Sequence, residues 1–90
     1  MFSVVFTSRF KRELRYFQNN SEVLCEFEKV LDYLTLGKTL PAKYRNHKLI
    51  GEFKGCYECH LEPDVLLIYR IEKKEISVLL LRIGSHSDLF

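Results

Sequence analysis

The hydrophobic period of this chain changes once, and that change limits its fold more than any other feature. After one short apolar stretch, residues up to about 37 repeat their apolar positions at helical spacing. From Lys48 onward the apolar positions alternate or run continuously, as strands do. A chain ordered strand, helices, strands builds an α+β domain, with helices packed on one face of a mainly antiparallel sheet. Ninety residues suffice for one such domain and not two, so residues 1–90 are expected to form a single unit.

Phe2 to Phe6 reads as the first strand, and Thr7 or Ser8 can cap the helix that follows. Phe10, Leu14 and Phe17 form one apolar stripe, and Asn19-Asn20 breaks it. Ser21 is expected to cap a second helix with a buried stripe of Leu24, Phe27, Val30, Leu31 and Leu34, ended by Gly37. Thr39 to His47 has no period and reads as a loop. Short strands are expected at Leu49–Phe53 and Cys56–Glu62, and strands apolar on both faces at Val65–Ile71 and Ile76–Ile83, followed by a short tail. Glu62-Pro63-Asp64 and Lys73-Lys74 supply the turns.

Fourteen basic residues against twelve acidic ones give a formal charge of +2, a weak lean toward anionic partners. The bases cluster at Arg9, Lys11, Arg12 and Arg15, and again at Lys38, Lys43, Arg45 and Lys48. A solvated surface explains the first cluster as well as a binding face does. Met1 to Phe6 is shorter than a signal-peptide core and no apolar run reaches membrane-span length, so no membrane association and a cytoplasmic location are expected. Cys25, Cys56 and Cys59 are then reduced thiols.

Three histidines stand at element ends or in loops: His47, His60 and His86. Imidazole titrates near neutral pH and suits acid–base work, although a lone histidine is usually structural. Cys56-Tyr57-Glu58-Cys59-His60 matches a c-type haem attachment pattern. On a strand, however, residues three apart point to opposite faces, so the two thiols cannot converge on one porphyrin. Met1 is the only methionine, which leaves no internal axial ligand. The same geometry and the lack of a second cysteine pair argue against zinc. Alternation instead puts Tyr57, Cys59 and Leu61 on a core face, and Glu58, His60 and Glu62 on a polar one beside Asp64. Arg82 interrupts an apolar run and must find an anion, either a carboxylate such as Glu58 or Asp64 or a bound phosphate. Phe90 can pack or stack on a nucleobase.

The segments His47-Lys48-Leu49-Ile50-Gly51, Glu58 to Tyr69 with its Glu-Pro-Asp turn, and Arg82-Ile83-Gly84-Ser85-His86-Ser87-Asp88-Leu89-Phe90 resemble the YafQ-type toxins of the RelE/ParE superfamily. The resemblance runs from about Leu40 to Phe90. It implies a RelE-like fold, with a helical hairpin on a curved sheet, and metal-independent cleavage of messenger RNA without a cofactor. It implies a cognate antitoxin as partner, operator DNA contacted only through that complex, and the ribosome as a further candidate partner. The implied catalytic set is His47, Glu58, His60, Asp64, Arg82 and His86, with Lys48, Lys54 and Phe90 contacting substrate. In that scheme Glu58 or His60 is the base, held by Asp64, and His86 is the acid; the roles of His60 and His86 can be exchanged. Tyr57 stands where many relatives carry arginine, and Val65 where some carry tryptophan. Two other readings are a catalytically weak toxin-fold protein acting through antitoxin and operator complexes, and a gyrase poison of the same superfamily, which lacks this histidine set.

Overall fold

The computed structural model describes residues 1–90. Its elements are β1 (Ser3–Phe6), α1 (Ser8–Leu14), α2 (Ser21–Thr35), β2 (His47–Lys48), β3 (Tyr57–Glu62), β4 (Val65–Glu72), β5 (Ser77–Gly84) and α3 (His86–Leu89). Single 3₁₀ turns lie at Arg15–Phe17, Ala42–Tyr44 and Gly51–Phe53. The five strands form one sheet in the order β1-β5-β4-β3-β2. β1 runs parallel to β5, and every other pair is antiparallel. No helix is long and apolar enough to cross a membrane.

Side-chain caps set the helix starts. Thr7 has an extended backbone, and its Oγ1 accepts from the Phe10 N–H at 3.2 Å. The same hydroxyl donates to the Leu80 carbonyl at 2.8 Å, which ties α1 to β5. For α2 the cap is Asn20, whose Oδ1 accepts from the Val23 N–H at 3.1 Å; Ser21 is the first helical residue and not the cap. Gly37, at φ +69°, takes the left-handed position past the helix end.

One residue of rotation separates the expected stripe of α2 from the observed one. Val23, Phe27, Val30 and Leu34 are buried, while Leu24 and Leu31 are only half-buried. This stripe and Phe10 pack on the helix-facing side of the sheet against Cys59, Leu61, Leu67, Tyr69, Val78, Leu80 and Ile83. The Phe10 and Phe27 ring centroids are 5.5 Å apart, and each ring contributes about 1.5–3 kcal/mol through burial. The other sheet face carries a smaller core of Cys56, Leu66, Ile68 and Leu89, roofed by the end of the chain.

Three local expectations change. Leu49–Phe53 is not a strand: β2 ends at Lys48, and Gly51 at φ +75° begins a 3₁₀ turn. The loop after α2 contains a 3₁₀ turn that buries Tyr44. The tail after β5 is the short helix α3, capped by Ser85, whose Oγ accepts from the Asp88 N–H at 3.2 Å. Gly84 lets α3 seat closely, because a Cβ there would stand 3.3 Å from Leu89 Cδ2.

Ile76 begins β5 in the sequence but turns in the structure, at φ +49° and 53 % exposed. A β-branched residue is strained there by about 1–2 kcal/mol, whereas asparagine tolerates the conformation. Ile76→Asn is therefore expected to raise unfolding free energy by about 1 kcal/mol. Urea titration measures it, and an unchanged or lower midpoint contradicts the strain.

Candidate active site

Register builds the site. β2 pairs with β3 so that His47 lies opposite Glu58, and Glu58 continues across β4 at Ile68 to Arg82 on β5. Two residues along β3, His60 shares the face of Glu58, as strand alternation requires. Both imidazoles therefore meet one carboxylate. His47 Nε2 is 3.5 Å and His60 Nε2 is 3.6 Å from the same Glu58 Oε1. The Glu58 side chain is only 7 % exposed, against 21 % for His60 and 52 % for His47. These separations exceed a well-formed hydrogen bond, as is common before a substrate draws such groups together.

The two imidazoles are held differently. His47 Nδ1 lies 2.8 Å from the Arg45 carbonyl, which can only accept, so Nδ1 carries the proton and Nε2 faces Glu58. Arg45 offers that carbonyl from a left-handed conformation, at φ +48°. His60 Nδ1 is buried with no partner, a cost of about 1–3 kcal/mol that the surrounding fold carries.

His86 opens α3 and is exposed, with its ring centroid 5.1 Å from that of Phe90. Phe90 in turn meets Phe53 edge-on at 5.6 Å. An imidazole, a terminal ring half open to solvent and a half-buried phenylalanine thus lie in series.

The remaining sequence candidates form no ion pair with the carboxylate–imidazole group. Arg82 is committed to a partner that sequence reasoning missed. Its Nη2 is 2.7 Å from Glu13 Oε2, and its Nε donates to the same carboxylate at 2.9 and 3.0 Å. Glu13 also accepts from the Ile83 N–H at 3.2 Å, so α1 closes the stretch of β5 beyond β1. Neither Glu58 nor Asp64 is the partner of Arg82. Asp64 is exposed in the β3–β4 turn, and the carboxylate facing His60 is Glu58. Lys48 follows His47 and so points to the opposite face, with its ammonium 6.0 Å above the Tyr57 ring. Lys54 is exposed beside Phe53. Phe53 and the Arg45 carbonyl were also missed, since neither carries a titratable signal.

The thiols stand on opposite sides of the sheet, Cys59 in the helix-side core and Cys56 in the smaller one. Burial, helped by the Glu58 charge, pushes the Cys59 thiol up to about 12, so it stays protonated at neutral pH. That is no environment for a redox dithiol. No group of three or more His, Cys, Asp or Glu side chains is spaced to hold a metal ion.

A family model described as bacterial toxin of type II toxin-antitoxin system, YafQ, matches residues 2–90. The mRNA interferase toxin YafQ of Escherichia coli K12 is 43 % identical over 51 residues, which span 57 % of this chain and about half (53 %) of that protein. The toxin of the same name from E. coli B / BL21-DE3 is 30 % identical over 89 residues, 97 % of this chain and 94 % of that protein. The metal-bound toxin from Helicobacter pylori superposes with a TM-score of 0.91 at 39 % identity, covering 100 % of both chains. A chain of the E. coli DinJ-YafQ complex superposes with a TM-score of 0.85 at 26 % identity, covering 100 % of this chain and 99 % of that one.

Proposed function

The chain belongs to the YafQ family of type II toxin–antitoxin toxins, and from that premise we propose that it is an endoribonuclease that cleaves messenger RNA and so stops translation. The observation that carries the reading is the pair of imidazoles converging on one buried carboxylate. In the proposed reaction a ribose 2′-oxygen attacks the adjacent phosphorus and its proton passes to the Glu58–His60 pair. The bond to the 5′-oxygen breaks as His86 protonates it. The products are a 2′,3′-cyclic phosphate and a 5′-hydroxyl, and no water is consumed. His47 and Lys54, both exposed, supply positive charge to the pentavalent phosphate. Phe90, backed by Phe53, stacks on a flanking base. Arg82 has no step here, since Glu13 already neutralises it, and Lys48 has none, since it lies across the sheet.

A cognate antitoxin is the proposed protein partner, as the DinJ-YafQ complex of the E. coli relative suggests, and operator DNA would be reached only through that complex. Cleavage is proposed to need no metal. The H. pylori relative is described as metal-bound, so chelation belongs in the test.

The test incubates purified chain with a defined RNA, with and without a chelator, then with translating ribosomes. Cyclic-phosphate ends, or the 3′-phosphate ends that form when water later opens the ring, equally abundant under chelation, are expected. Loss of cleavage under chelation that zinc restores would overturn metal independence. RNA left intact in every arm would favour the non-catalytic reading, in which antitoxin and operator complexes are the whole function.

A further inference from the structure

Beside the candidate active site lies a groove that the reaction above does not use. β2 pairs with β3 only at Tyr57 and Glu58, so beyond Glu58 the outer edge of β3 has no strand partner. That edge faces α2 and the 3₁₀ turn at Ala42–Tyr44 across a groove of about 280 Å³. Glu26, Lys43, Tyr44 and Arg45 line one side of it, and His60 and Glu62 the other. His60 is therefore shared between the groove and the carboxylate–imidazole group.

The far wall is held in place. Glu26 accepts from Lys43 Nζ and from the buried Tyr44 hydroxyl, each at 3.3 Å. Arg45 is different. Its carbonyl is spent on His47, but its guanidinium forms no ion pair, and neither does the Glu62 carboxylate. The groove thus offers one free donor fork and one free acceptor, beside a histidine proposed to handle the 2′-hydroxyl proton.

Mixed charge makes the groove a poor trap for a bare phosphate, because Glu26 and Glu62 both line it. A flat neutral heterocycle with acceptors on one edge and donors on the next fits better. Guanine has that pattern: O6 and N7 accept from an arginine fork, while N1–H and N2–H donate to a carboxylate. Adenine presents an amino group where the fork needs an acceptor, and pyrimidines lack the second edge. The geometry points to a guanine-nucleoside subsite in this groove, read by Arg45 and Glu62, that seats the base next to the scissile phosphate. This deepens the ribonuclease reading and rests on it.

The test titrates the full chain with GMP, AMP, CMP, UMP and inorganic phosphate, followed by NMR. GMP is expected to bind about tenfold more tightly than the other nucleotides. Arg45→Asn, which suits the left-handed backbone, and Glu62→Gln are each expected to abolish that preference. Equal affinity for the four nucleotides, phosphate competing as well as GMP, or a preference that survives both substitutions would each overturn the subsite. The cleavage arm keeps the two readings separable. Glu62→Gln should raise KM at guanine-flanked sites about tenfold and leave kcat in place. An unaltered cut pattern would sink the subsite while leaving the ribonuclease standing. GMP binding as expected by a chain that cuts no RNA, with or without ribosomes, would keep the subsite as a nucleotide site and discard the catalytic reading.

Discussion

Glu58→Gln is expected to slow RNA cleavage by about 100- to 10,000-fold while the chain still folds. Glutamine matches the shape of glutamate, so the packed position opposite Ile68 is preserved. The charge is what disappears. Glu58 Oε1 is the one atom that both His47 Nε2 and His60 Nε2 face, and an amide can neither take up the 2′-hydroxyl proton nor offset positive charge that reaches an imidazole during the reaction. His86→Ala is expected to fall in the same range by removing the leaving-group acid. If base and acid act in one step, the double variant should lose much less than the product of the two losses. Single-turnover cleavage with end mapping measures all three, and thermal unfolding confirms the fold. A Glu58→Gln chain within threefold of the parent rate would remove the carboxylate from the chemistry.

What the sequence made legible follows the range over which each signal acts. The change of period gives the order of elements, because a stripe on a helix or a strand is a property of adjacent residues. Alternation on β3 sorts Cys59 and Leu61 from Glu58 and His60 for the same reason, and so brings out the carboxylate–imidazole face. Failures begin where two chemically similar residues compete or where distant segments meet. Asn20 and Ser21 can both cap, and only the backbone decides that Asn20 does. The parallel pairing of β1 with β5 joins residues more than seventy positions apart, Ser3 with Ser77, and no local pattern announces it. Nor does local pattern assign Lys48. Once β2 is His47–Lys48 and not Leu49–Phe53, adjacent residues must split between the faces, and only His47 reaches Glu58. The tail was hidden because four residues carry no helical period, although Ser85 as cap and Gly84 as the close-packed seat were both in view.

Arg82 is the residue whose meaning depends most on a distant partner, and replacing it is expected to cost stability before it costs chemistry. Arg82→Met removes the guanidinium from Glu13 and leaves a carboxylate, 18 % exposed, with only the Ile83 N–H to balance it. Breaking a fully buried pair this way costs about 3–5 kcal/mol; with both groups partly open to solvent, about 2–4 kcal/mol is expected. The loss should appear where α1 meets β5, since Glu13 and Thr7 are the side chains that tie that helix to the strand. Glu13→Gln tests the pairing from the other end. If the two side chains serve each other, the double variant should be less destabilised than the sum of the singles, by about 1 kcal/mol or more. Urea unfolding of the parent and the three variants gives the coupling directly. A different pattern would restore the phosphate-clamp reading: stability unchanged in Arg82→Met, no coupling to Glu13, and cleavage lost even when arginine is replaced by lysine. The geometry opposes that outcome, because three contacts of 2.7–3.0 Å already occupy the Nε–Nη2 edge of the guanidinium, and the Glu13 carboxylate offsets its charge.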